Sequence, residues 1–138
     1  MNTRKLIEKL EKVVKVRTPQ YVSFNHPQYD EKLMKAHSLL ANLYEQEGNK
    51  SQAHSHFRQA EHEFVNMCRV ETGKHQYISG GLEGFRKFQA QERETEKRLE
   101  QYRGKLLDIA NKMGYISTDL LFAPTSSNPN KRYQEGRL

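Results

Sequence analysis

The chain predicts an all-α fold: one small helical bundle with a long helix toward its C-terminal end. Three observations carry that expectation. Apolar residues recur at intervals of three and four through most of the 138 residues, which places them on one face of a helix with 3.6 residues per turn. Charged residues make up 29% of the chain and the mean hydropathy is −0.98, so each apolar stripe is narrow and the remaining faces are solvated. Leu, Ile, Val and Phe together number only 29, close to the lower limit for a globular fold. A chain of this length makes one domain, with residues 1–123 as the helical body.

The first helix is expected over residues 3–16, where Leu6, Ile7, Leu10, Val13 and Val14 fall on one face. Glu8–Lys12 and Glu11–Lys15 are i,i+4 pairs in the favourable orientation. Pro19 should end this helix by pushing Thr18 out of the helical region. Residues 17–29 read as an apolar loop packed on the body, with Tyr21, Val22, Phe24 and Tyr29 between two prolines. Asp30 is a natural N-cap for a second helix over 31–47, with Leu33, His37, Leu40, Ala41 and Tyr44 facing inward. Gly48-Asn49 supplies its left-handed stop. Ser51 would cap a third helix over 52–69, and Thr72-Gly73 and Ser79-Gly80-Gly81 punctuate the segment that follows. The long helix is expected over 82–113, about 48 Å at 1.5 Å per residue. Its stripe is Phe85, Phe88, Leu99, Tyr102, Leu106, Ile109 and Met113, with heptad spacing over the last five. Gly104 suggests a close crossing or a kink, Gly114 a C-cap, and residues 117–122 a further short turn. Residues 124–138 carry no apolar period and read as a flexible basic tail.

Residues 34–67 resemble a tetratricopeptide repeat. Leu40 and Ala41 fall on that family's Leu-Gly/Ala pair, Tyr44 on the aromatic of its first helix, and Gly48 in its turn. Ala53, Phe57 and Ala60 match the small-large-small series of its second helix. The packing logic agrees, because small side chains let two helices approach while Tyr44 and Phe57 fill the gap. His37 and Val65 depart from the pattern, standing where a bulky apolar residue and a proline are usual. The resemblance implies an antiparallel helical hairpin that binds protein. It also implies a peptide-gripping polar row on the first helix, which here is Lys35, Ser38, Asn42, Glu45 and Gln46. No second copy follows at a 34-residue offset, so flanking helices must cover the unit's faces.

Signals for chemistry are weak. His54 and His56 point about 200° apart on a helix and cannot share one ion. Cys68 lacks an activating neighbour and reads as a buried thiol; a single cysteine excludes an internal disulfide. Gly80–Gly84 lacks the lysine and spacing of a phosphate loop and reads as a hinge. No nucleophile–base constellation assembles, so no enzymatic activity, cofactor or metal is expected. No run of 18 apolar residues spans a membrane, and no signal-peptide pattern opens the chain, which points to a cytoplasmic or other intracellular location.

The net charge of +6 is uneven. Residues 1–17 carry +4, the segment 124–138 carries +2, and the body between them is neutral. The leading functional expectation is a non-enzymatic adaptor or scaffold subunit with a protein partner, docked through the polar row of the second helix or through the long helix. The polar section 89–98 would overhang the body and present Arg93, Lys97 and Arg98. The heptad stretch 99–113 could pair with a second copy, or it could pack on the hairpin. The alternative is a nucleic-acid-associated protein whose Lys5, Lys9, Lys12, Lys131 and Arg132 contact phosphates, or a structural subunit of a large assembly.

Overall fold

A computed structural model describes residues 2–18, 28–73 and 81–126. The described residues form five helices and no strand: α1 (Thr3–Arg17), α2 (Glu31–Gln46), α3 (Lys50–Gly73), α4 (Gly81–Met113) and α5 (Thr118–Phe122). The predicted all-α bundle is therefore observed.

The helix ends follow from local chemistry. Asp30 caps α2 by accepting from the Leu33 N–H at 3.1 Å. Gly48 (φ +79°) and Gly114 (φ +70°) take the left-handed conformation that closes α2 and α4. Asn49, rather than Ser51, caps α3: its side-chain oxygen accepts from the Gln52 N–H at 3.2 Å, so the helix starts at Lys50. At the far end α3 runs through Thr72, whose hydroxyl donates to the Cys68 carbonyl at 2.6 Å. That bond, together with the burial of Glu71 and Thr72, carries the helix beyond Arg69. Thr18 stays in the right-handed helical region as the C-cap of α1. Its N–H and its hydroxyl both bind the Val14 carbonyl, the latter at 2.6 Å, which outweighs the restriction from Pro19. Pro19 itself lies outside the described residues, as does the apolar loop 19–27.

Cross-helix pairs define the packing. Asp30 meets Glu63 and His37 meets His56, so α2 and α3 are antiparallel. Glu11 reaches Tyr44 and Arg17 reaches Asp30, so α1 runs antiparallel to α2. Glu31 meets Tyr102 and Asn42 meets Lys112, so the second half of α4 runs parallel to α2. The core gathers Met34, Ala41, Phe57, Ala60, Phe64, Met67, Cys68, Leu99, Leu106, Ala110, Leu120 and Ala123. Ala41, Ala53, Phe57 and Ala60 are fully buried, as the small-large-small spacing requires. Cys68 is buried too.

At the C-terminal end one alternative is met and one expectation changes. Leu99, Leu106 and Ala110 of α4 belong to the chain's own core, so these positions of the 99–113 stripe pack on the hairpin. The poverty of other apolar residues is the reason: the hairpin needs this face. The tail expected to start at Pro124 instead stays packed through Ser126, with Thr125 and Ser126 each 1% exposed. Their hydroxyls donate to Glu100 and Glu92 on α4, both at 2.8 Å. Residues 127–138 lie outside the described residues, including Lys131 and Arg132.

Arg103 holds this end together. Its guanidinium donates to the Leu120, Leu121 and Ala123 carbonyls at 2.9, 2.7 and 2.5 Å, satisfying the last carbonyls of α5. Ser117 caps the other end of α5 through the Leu120 N–H and donates to the buried Glu61. Gly104, by contrast, is exposed and has room for a side chain among the described residues, and α4 continues through it. It marks no close crossing.

Candidate functional site

Part of the polar row expected on α2 runs beside α4, with Lys35 and Gln46 exposed. Lys35 lies 5.8 Å from the centre of the Tyr102 ring, and Asn42 accepts from Lys112 at 3.5 Å, so α4 runs alongside it. Ser38 bonds back to its own helix at the Lys35 carbonyl. Glu45 borders a separate groove with His54 and Tyr115, and Gln46 is exposed.

The three cations expected on the long helix separate into two kinds. Arg93 and Lys97 are exposed. Arg98 is half-buried and donates toward Tyr29 and Glu31, each at 3.4 Å. It belongs to a polar network joining α2, α3 and α4: Tyr29 donates to Glu71 and Tyr102 donates to Glu31 at 2.5 Å. Burial and the Glu71 carboxylate push the Tyr29 hydroxyl up to about 12. The Tyr102 hydrogen bond holds Glu31 below the usual carboxylate range against the opposing effect of burial. Asp30 is lowered as well: burial acts upward, but Arg17 at 2.7 Å and the Leu33 N–H outweigh it. Glu63, buried next to Asp30, is raised by desolvation.

The remainder of α4 is less buried. From Gly81 to Arg98 no residue is buried, a span of about 27 Å. Leu82 and Phe85 are 66% and 41% exposed. Phe88, Glu92, Thr95, Glu96 and Arg98 are half-buried, continuing the core-facing stripe. On α1, Lys5, Lys9 and Lys12 are exposed and fall within one narrow stripe by their spacing.

A buried polar chain escaped the sequence reading. His37 on α2 and His56 on α3 face each other through their Nδ1 atoms at 2.8 Å, and His56 Nε2 donates to Glu11 of α1 at 2.8 Å. The Tyr44 hydroxyl donates to the same Glu11 oxygen at 3.1 Å, while its ring stacks on His56 with centroids 5.6 Å apart. The chain borders a groove of about 520 Å³ between α1 and the end of α2, where Arg4, Glu8, Lys12 and Glu47 also sit. Burial, then the neighbouring His56, push the His37 imidazole down to about 4. Two clues were legible: a histidine at a position where an apolar residue is usual, and a tyrosine facing inward. Their partners are 19 and 33 residues distant in the chain, where spacing carries no information. Among the described residues, no cluster of three or more His, Cys, Asp or Glu is placed to hold a metal ion, and no helix is long and apolar enough to cross a membrane.

Comparisons with protein-family models, with curated proteins and with solved structures returned no match.

Proposed function

We propose that this protein is a non-enzymatic docking module, a tetratricopeptide-like hairpin braced by α1 and α4, that binds a protein partner through the first half of α4. The observation that carries this reading is that no residue from Gly81 to Arg98 is buried, over about half the length of a helix whose other half is committed to the core. An isolated helix of this polarity gains little by protruding. Covering Leu82, which is 66% exposed, with a partner would bury further apolar area. The seam between α2 and α4 argues against the α2 row as the principal surface.

Joint reversal of Arg93→Glu and Lys97→Glu tests the reading. Partner capture from the native source should fall at least tenfold while the melting temperature stays within about 1 °C, because exposed charges contribute only about 0–1 kcal/mol to folding. Undiminished capture would remove this span from consideration. Arg98 is excluded from the test, since its reversal would also break the network around Glu31 and Tyr29.

The exposed Lys5–Lys9–Lys12 stripe favours a second reading, contact with nucleic-acid phosphates. Binding of a duplex oligonucleotide that falls steeply between 50 and 200 mM salt, and is lost on replacing the three lysines with glutamine, would support it.

A further inference from the structure

We infer that the partner docked on the first half of α4 presents an acidic helix to it, with carboxylates set along a line of cations formed by Arg86, Arg93 and Lys97. The inference rests on the reading of this span as the docking surface and adds the chemistry of what the span holds.

Charge on this half of the helix is sorted by face. With 3.6 residues per turn, Arg86, Arg93 and Lys97 fall within about 40° of one another, over about 17 Å of helix. All three are exposed, and none makes a hydrogen bond or an ion pair among the described residues. The nearby acids are engaged elsewhere. Glu92, on the core-facing side, accepts from Ser126. Glu100, at the end of the line, accepts from Thr125 and lies 3.4 Å from Arg103. Arg93 and Lys97 are moreover a like-charge pair at i,i+4, an arrangement that works against the helix and that an opposing carboxylate relieves. Leu82, 66% exposed, stands on the same side one turn before Arg86 and gives the line an apolar end. Ala90, exposed between Arg86 and Arg93, is small enough to let a second helix approach.

Two features select a protein over a nucleic acid. Glu83 and Glu94 are exposed on an adjoining line, about 70° round the helix. A phosphate backbone would meet them as like charges, whereas a protein helix can set a cation or a neutral side chain opposite them. Leu82 offers an apolar contact, which protein interfaces use and phosphates do not. The spacing then sets the pattern of the occupant. An antiparallel helix that meets Lys97, Arg93, Arg86 and Leu82 in turn carries acids at i, i+4 and i+11 and an apolar residue at i+15. Those four positions lie within about 60° on the partner helix, so one face of it serves all four contacts.

Two peptides test the inference: Glu-x3-Glu-x6-Glu-x3-Leu on an alanine and glutamine background, and the same pattern in reverse order. Binding to the full chain is read by fluorescence anisotropy at about 100 mM salt. One of the two should bind at least about tenfold more tightly than its Glu→Gln counterpart. Joint Arg93→Glu and Lys97→Glu should abolish that preference, and a peptide with lysine in place of glutamate should recover binding to the reversed chain. Leu82→Ser should weaken the wild-type complex about threefold. A glutamate peptide that binds no better than its glutamine counterpart overturns the inference, as does a single-stranded oligonucleotide that binds the chain more tightly and displaces the peptide. If either happens while partner capture still falls on charge reversal, α4 stands as the docking surface and only its acidic occupant is removed. Undiminished capture would remove the docking reading and the inference with it.

Discussion

Arg103 shows how much one side chain can organise. Its planar fork reaches three carbonyls at the C-terminal end of α5, a geometry that a point charge on a flexible stem does not reproduce. Arg103→Leu strands those acceptors in a buried site and should cost about 2–4 kcal/mol. Thermal unfolding reads the loss, and hydrogen exchange at residues 118–123 locates it. Arg103→Lys should recover less than half. The sign of the His37 effect follows from the same reasoning about burial. Its imidazole is depressed when folded, so the neutral ring's stabilising contribution is complete above about 6.5 and declines as the pH falls toward 4. At most about 3 kcal/mol is lost over that window. Urea midpoints between pH 7 and pH 4 should fall for the wild-type chain and flatten for His37→Gln. Asp30 and Glu31, both lowered when folded, add to the acid loss only as the pH drops through the carboxylate range.

Among the helices, the α2–α3 hairpin and α4 respond to substitution in opposite ways. Ala53 is fully buried where α2 and α3 approach, so Ala53→Leu should overpack the contact and cost about 1–3 kcal/mol. An unchanged melting temperature would show that the helices are not closely packed there. Gly104 has open space around its missing side chain and lies inside α4. Gly104→Ala should therefore stabilise the protein by about 0.5–1 kcal/mol, through helix propensity alone. A loss of stability would reveal a contact at that face which the structure does not contain.

Across the whole molecule, the division of labour lies along α4. One half closes the core beside α2 and α3, and the other half holds no fully buried residue. The all-α class, the four longer helices to within a few residues, the Asp30 cap and the Gly48 and Gly114 stops were all legible in the sequence, because each depends on residues within one or two turns of each other. So was the burial of Ala53, Phe57 and Ala60, which follows from the helical period. The partners of polar groups were not legible. His37 and His56, Glu61 and Ser117, and Arg103 and the end of α5 are each joined across different helices, and only the tertiary structure brings them together. The same is true of the Lys35–Asn42 row, which looks open on an isolated hairpin and is flanked by α4 in the folded chain. A helical period states which face is apolar; which helix covers it depends on the joint packing of all the faces, and with so few apolar residues that packing buried residues in only half of α4.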